Sequence, residues 1–439
     1  MKIVILIFLL IFNHASVKAE GLLAIDNDIN SIVLKLIEYK GKEVSGSAIN
    51  SCQYIEDHIS ISSLLTCHDY LKGVYVTEDL EAYTQYLKKL MQIGFKAQNQ
   101  PEYHKVLSAD YDEVTSKMYF DIAEMSYKYN RFDDALTYLS KIDDSLDDEF
   151  VYRALLMYGL IYFEKQQYKK AKYYLGRINS TSSEYVYAKY NLALISMRSS
   201  WWAEAEEHIK DAIKLIDIKT MDVKTTLLLD KLYLTLGYSQ LNRKNYRVSK
   251  KTFSQISINS DIKNRAILGI AMSEIGNGNL SKAAPLLKHL MKDKGNADDY
   301  LDALVILPQV YQHAGNIKDT VEFYKSALDD MNSMYKQTTI LKNKVNSFSL
   351  MELSGKILSK WHYHEINKRK NIINQLRSIT YIHKSDRNKI NELDKRIFQY
   401  TRNILNETLT EKLNKVKNYM QQTKYSLAVI YDSSVADYK

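Results

Sequence analysis

FDIAEMSYKYNRFDDALTYL, residues 120–139, sets two small residues, Ala123 and Ala135, twelve positions apart on either side of a polar break. LLMYGLIYFEKQQYKKAKYYL, residues 155–175, does the same with Gly159 and Ala171. Ala193 with Ala205, Gly237 with Ser249 and Ala271 with Ala283 continue the series, and Pro308 with Thr320 makes a degenerate sixth copy. The first members lie 36, 34, 44, 34 and 37 residues apart. Antiparallel helices approach closely only where side chains are small, and large residues then fill the space beside that contact. The spacing therefore predicts a series of helical hairpins, with the 44-residue interval lengthened around Ile216 to Thr226.

Two further marks keep this register. A large residue is expected just before each second helix (Phe132, Tyr168, Trp202, Tyr246, Leu280, Ile317), and another stands four past the second small one (Leu139, Leu175, Ile209, Phe253, Leu287, Tyr324). The pattern resembles the tetratricopeptide-repeat (TPR) family, in the form met in exported bacterial proteins, whose unit is a helix-turn-helix of about 34 residues. The resemblance covers about half of the chain. It implies an all-α fold, a TPR-type helical-hairpin solenoid, with a helical N-terminal region before it and a long-helix segment after it. Four segments follow: residues 1–19, 20–115, 116–335 as about six repeats, and 336–439. Pro308 is expected to kink the first helix of the sixth copy, and Pro285 to fall in a first helical turn where its missing N–H is tolerated.

Composition agrees with a helical reading. Only 14 Gly and 3 Pro occur in 439 residues, so the strongest breakers of regular structure are scarce. The net charge of +8 is uneven, since Leu341 to Lys439 holds 19 Lys+Arg against 9 Asp+Glu, a surplus of ten. Within that basic segment Ile390, Leu393, Ile397, Tyr400 and Ile404 alternate three and four apart. Leu409, Leu413, Val416 and Met420 resume the rhythm after a slip near Asn406. Such a stripe suits a helix packing on another helix, in a coiled coil or against the solenoid.

Met1-Lys2 followed by the apolar run Ile3 to Phe12, with Val17-Lys18-Ala19 before Glu20, is a signal-peptide pattern with cleavage after residue 19. Ten apolar residues are too few to span a bilayer, which takes about 20. The mature chain is thus expected to be periplasmic or secreted, without a transmembrane segment and without a lipidation cysteine. Cys52 and Cys67 are the two cysteines, and export favours a disulfide between them. A metal site that also used His58 and His68 lacks the paired close ligands of structural zinc.

No Gly-rich phosphate loop, HExxH helix or GxSxG elbow occurs, so neither a catalytic residue, a metal nor a cofactor is expected. The cluster Trp361-His362-Tyr363-His364 reads as polar rings on a helix or helix end, because histidines two apart do not share a helical face. The 35 tyrosines fall largely in helical register, where packing is their commoner use than sugar stacking.

The resemblance also implies that first helices line a peptide groove. By register its candidates are Phe120, Tyr127, Leu156, Leu160, Phe163, Tyr187, Tyr190, Leu194, Met197, Leu234, Tyr238 and Leu241. Family members that clamp acidic C-termini use Lys and Asn at matching places, and Phe, Leu, Tyr and Met stand here. An apolar groove fits an amphipathic helix or extended apolar peptide, or the chain's own C-terminal helices. The expected function is a non-catalytic scaffold for protein partners in the cell envelope, with nucleic acid excluded by export and self-association through the C-terminal helices left open. Two other readings stand beside it: an accessory part of a Ton/Tol-type or secretion machine, and an envelope hydrolase or glycan-binding enzyme subunit.

Overall fold

The computed structural model describes residues 112–128, 131–142, 147–216, 223–293, 297–345, 350–358, 360–379 and 383–436, with five positions nearer the start, Ile25, Asp28, Ile29, Ser31 and Ile32. The signal-peptide pattern and the Cys52–Cys67 pairing lie outside the described residues. Among those described, fifteen helices are delimited and no strand occurs. First and second helices alternate as α1 (Asp112–Lys128) and α2 (Phe132–Leu139), α3 (Asp148–Glu164) and α4 (Tyr168–Leu175), α5 (Glu184–Arg198) and α6 (Trp202–Lys214). They continue as α7 (Val223–Asn242) and α8 (Tyr246–Phe253), α9 (Lys263–Gly276) and α10 (Leu280–Leu290), α11 (Ala297–His313) and α12 (Ile317–Lys344). Then come α13 (Leu350–Ile357), α14 (Lys360–Ser378) and the 53-residue α15 (Lys384–Ala436).

One turn recurs, and it explains the twelve-residue spacing. The first helix ends where a residue becomes left-handed: Gln166 (φ 58°), Ser200 (60°), Lys244 (63°), Gly278 (78°) and Gly315 (74°). In the third copy the Ser200 N–H donates to the Met197 carbonyl (2.9 Å) and the Trp201 N–H to the Ser196 carbonyl (2.8 Å). Lys244/Asn245 and Gly278/Asn279 repeat this Schellman closure, which satisfies carbonyls that the helix end would otherwise leave orphaned. The second small residue then donates its N–H to the carbonyl just past the left-handed residue: Ala205 to Trp201, Ser249 to Asn245, Ala283 to Asn279. A fixed turn thus sets the small residues at a fixed offset. The large residues expected before the second helices are instead their first residues, from Phe132 in α2 to Ile317 in α12.

Packing follows the register. Ala123, Ala135, Ala171, Ala193, Ala205, Ser249, Ala271, Ala283 and Thr320 are fully buried, as are the large residues four beyond the second member. Ser249 Oγ donates across the hairpin to the Gly237 carbonyl at 2.8 Å. Phe253 lies between two glycines of neighbouring first helices: a Cβ on Gly237 would come within 2.6 Å of its ring, and one on Gly269 within 2.4 Å. The next junction, of α10 with α9 and α11, is apolar throughout, with Leu268, Leu287, Leu290, Ala303, Ile306, Leu307 and Val310 in one cluster.

Both prolines sit inside helices. Pro285 is the sixth residue of α10, beyond the first turn where it was expected, and both it and Ser281, the acceptor its missing N–H leaves free, face solvent. Solvent can therefore satisfy that carbonyl. α11 runs through Pro308. Much of the long interval is a longer first helix, since α7 has 20 residues where α9 has 14.

The described residues divide into two compact units. One comprises Tyr168–Lys344 with Glu407–Lys439, and so holds α4 to α12 and the second half of α15. The other comprises Lys2–Gln167 with Val345–Asn406, and so holds α1 to α3, α13, α14 and the first half of α15. The boundary within α15 coincides with the slip of its apolar stripe near Asn406. Ile390, Leu393, Ile397 and Ile404 are buried before it, Leu409 and Val416 after it. Likewise α12 runs on to Lys344, past the position 335 where the repeats were expected to end. Trp361 to His364 form the start of α14, where Tyr363 and His364 are exposed.

Candidate partner-binding surface

The twelve groove candidates fall into two groups by burial. Phe120, Leu194, Met197, Tyr238 and Leu241 are buried. Tyr127, Leu156, Leu160, Phe163, Tyr190 and Leu234 are half-buried, and Tyr187 is 45% exposed. In the unit containing α1 and α3, Phe120 meets Phe150 edge-on at 5.4 Å beneath the Arg153 guanidinium, which pairs with Glu124 at 2.6 Å. The Tyr127 phenol is pushed up to about 12 by burial and then by the Glu164 charge.

In the other unit Tyr187 and Tyr190 lie on α5. Burial raises the Tyr190 phenol, opposed by its hydrogen bond to the Thr235 side chain, which ties α5 to α7. Tyr238 belongs to the packing. Its ring meets Phe253 edge-on at 5.0 Å and its hydroxyl donates to the Arg265 carbonyl at 3.3 Å. Of the groove candidates on α5 and α7, Tyr187, Tyr190 and Leu234 therefore carry accessible surface and Tyr238 does not.

Beyond Tyr238 the first helices carry a cluster of charges. Arg265 of α9 places Nε 2.8 Å from Asp299 Oδ1 and Nη1 3.1 Å from Asp302 Oδ2, and both carboxylates are 2% exposed. Asp298, Asp299 and Asp302 all come from α11, which has no Lys or Arg. The second half of α15 supplies the rest: Lys415 Nζ reaches Asp298 Oδ1 at 2.6 Å and the Tyr419 hydroxyl donates to Asp302 Oδ1 at 2.7 Å. Burial pushes the Asp299 carboxyl up to about 6, with Asp302 and Asp298 adding to it against Arg265 and Lys415. For Asp298 burial also pulls upward, but Lys415, with Arg265 and Lys412, outweighs it and holds the acid below its ordinary range.

α15 runs beside α11 in the same direction, since Asp298–Lys415 and Asp302–Tyr419 share one offset of 117 residues. It runs against α12, where Lys342 meets Thr410 (2.7 Å) and Tyr324 meets Ser426. Val416, fully buried, inserts among Tyr300, Leu301, Leu304, Val305, Ala327 and Met331. Parallel to the last first helix and antiparallel to the last second helix is where a seventh first helix would stand. Residues from Glu407 on thus lie along the sixth hairpin through side chains, without the close backbone approach that joins successive repeats.

No protein-family model matches the sequence, and no curated protein matches it. Solved structures do match. The C-terminal part of a TPR repeat-containing protein from Cytophaga hutchinsonii is 13% identical over 62% of this chain and 98% of that one, with a TM-score of 0.40. A Rap protein complexed with Competence and Sporulation Factor is 10% identical over 82% and 98%, with a TM-score of 0.34. The P58(IPK) TPR domain is 12% identical over 84% and 98%, with a TM-score of 0.21. The hairpins are TPR-type repeats. The constant turn, the buried small pair twelve apart and the large residue four beyond it carry that assignment in the chain's own geometry.

The TPR register pointed to Tyr187 and Tyr190 but not to the charged cluster. Its acids lie at the start of α11, where the repeat pattern is weakest, and its cations lie 37 residues or fewer before them, at Arg265, and over a hundred after, at Lys415. A signal was nonetheless present. ADDYLD at residues 297–302 has three acids and no cation, while Lys412 to Lys424 has four lysines and no acid. Among the described residues no group of His, Cys, Asp and Glu could hold a metal, and no helix is long and apolar enough to cross a membrane.

Proposed function

We propose that this protein is an exported, non-catalytic scaffold that holds protein partners in the cell envelope on the first-helix surface of its TPR-type repeats. The observation that carries this reading is that the stack already holds a helix, on its end face formed by α11 and α12. α15 is gripped through two side-chain pairs one turn apart and an aliphatic insertion. Helices bind protein grooves through such one-turn spacings. Upstream, Tyr187 and Tyr190 add partly exposed aromatic area, the kind of side chain that anchors interfaces. Export rests on the apolar run Ile3 to Phe12 and the Val17-Lys18-Ala19 site.

The test immobilises the full mature protein and maps crosslinks to partners from envelope extracts. Tyr187→Ala with Tyr190→Ala is expected to lower capture about tenfold, which corresponds to about 1.4 kcal/mol, while circular dichroism stays helical. Unchanged capture in that double variant sinks the groove. Mass spectrometry of the exported protein is expected to find Glu20 at its start, and an intact Met1 to Ala19 segment would remove the envelope assignment. Turnover of peptidoglycan or polysaccharide by the purified chain would favour the enzyme reading instead.

A further inference from the structure

The seat of α15 gathers three carboxylates where junctions between hairpins pair one, as Glu274 with Lys250 and Glu206 with Arg243, and that difference points to its ligand. Without α15, the buried carboxylates of Asp299 and Asp302 face the single Arg265 guanidinium, leaving one negative charge in excess at a desolvated place, and Asp298, 59% exposed, adds a second at its rim. Lys415 cancels one of them, and Tyr419 adds a donor to Asp302, whose other oxygen is taken by Arg265. In the aliphatic part Val416 enters fully, with Tyr419 and Met420 packed beside it, and Leu409 and Ile430 of the same segment are buried as well. The occupant's demands are therefore a cation, an aliphatic residue next to it and a phenol one turn on.

We propose that the end face formed by α9, α11 and α12 is a receptor for a basic amphipathic helix with the pattern Lys/Arg, aliphatic, two residues, Tyr, and that residues 407–436 are its cis-acting occupant. This rests on the scaffold reading and names the chemical class of one partner. A tethered helix competes at an effective concentration in the millimolar range, so a partner gains the seat when the cis helix is weakened or when the partner pairs more fully with the acids. Tyr187 and Tyr190 do not belong to this seat.

The experiment uses the full chain and a fluorescent peptide of residues 407–436, read by anisotropy. Lys415→Glu with Tyr419→Ala weakens the cis helix, and this variant is expected to bind the peptide at least tenfold more tightly than the unaltered protein. Adding Asp298→Asn and Asp302→Asn is expected to abolish that gain, as is placing the Lys415 and Tyr419 changes in the peptide itself. Raising salt from about 0.1 M to 1 M, which shortens the screening length from about 10 Å to 3 Å, is expected to weaken binding. Hydrogen exchange of residues 407–436 reports whether the seat has been vacated. A vacated seat that binds no peptide overturns the proposal, and so does a cis helix that stays fully protected in the variant, because the pairs would then not be what holds it. Should the double change unfold the stack, Tyr419→Phe removes only the hydrogen bond to Asp302 and is expected to give a threefold gain, with no gain counting against the receptor. Partner capture through Tyr187 and Tyr190, followed in the same variants, is expected to be unchanged, which separates failure of this receptor from failure of the scaffold.

Discussion

Two junctions of the repeat stack solve one problem with different chemistry. Where α8 meets α7 and α9, Phe253 occupies a slot that exists because Gly237 and Gly269 have no side chains, and shape specifies the fit of its ring, with the Ser249 hydrogen bond and the Lys250–Glu274 pair beside it. Where α15 meets α11, three carboxylates, one guanidinium, one ammonium and a phenol specify it, with Val416 as the main aliphatic insertion. The contact of the Phe253 ring is short in sequence and apolar. The second is long in sequence and exposed to salt and pH. Close-packed apolar contacts suit a permanent joint, while charge pairs supply specificity and screening-dependent strength.

The apolar joint should give the largest effect. Phe253→Ala leaves a cavity between two glycines that cannot fill it, so a loss of about 3–5 kcal/mol is expected in thermal or urea unfolding, with no dependence on salt. A cost below about 1 kcal/mol would mean that the slot collapses freely and that shape does not specify the joint. Overpacking the same class of contact should cost less. Ala205, fully buried, has no room for added methylenes, and Ala205→Leu is expected to cost roughly 1–3 kcal/mol. An unchanged melting temperature would say that the small residue is not at a helix contact.

The charged joint should respond to pH. Asp299 is raised from 3.8 to about 6 by burial and its acidic neighbours, so the native state holds a proton more tightly than the unfolded state does. Stability from this group is therefore complete below about pH 4 and lost as pH rises through about 6. Two pK units at about 1.4 kcal/mol each put an upper bound near 3 kcal/mol on the effect. Asp299→Asn removes the penalty while Asp302 keeps Arg265 paired. We expect it to raise stability at pH 7–8 by about 1–2 kcal/mol and to flatten the slope between pH 4 and 6. Destabilisation at pH 8 would show that the Arg265–Asp299 pair outweighs the cost of burying the charge.

What was legible in the sequence divides along the same line. The hairpins, their register and the buried small and large positions could be read because one turn fixes a local offset, and local offsets leave a period. Five groove candidates proved buried because a first helix serves both the groove and the neighbouring repeat. Tyr238 cannot be told from Tyr187 by register alone, and only the ring of Phe253 beside it makes it core. The cluster of Arg265, Asp299 and Lys415 leaves no period, because its members meet across 150 residues of chain.

A backbone effect that touches neither joint provides the smallest expected change and calibrates both. Gly278 and Lys244 hold the same place in successive turns, at φ 78° and 63°. A left-handed conformation costs a residue with a Cβ roughly 1–2 kcal/mol, and glycine nothing, although glycine loses more freedom on folding. A Cβ on Gly278 would meet nothing within 4 Å, so Gly278→Ala isolates the conformational cost, about 1 kcal/mol, from any clash. Gly269→Ala makes the same chemical change where the added atom would lie 2.4 Å from the Phe253 ring, and it should cost distinctly more. The reverse substitution, Lys244→Gly, should stabilise by about 0.5–1 kcal/mol, because the Schellman bonds of Lys244 and Asn245 use backbone atoms that glycine retains. Thermal unfolding of the three variants at one pH and salt concentration reads these differences directly. Equal losses for Gly278→Ala and Gly269→Ala would mean that the slot around Phe253 yields as easily as an open turn, and the contrast between a joint set by shape and one set by charge would fail.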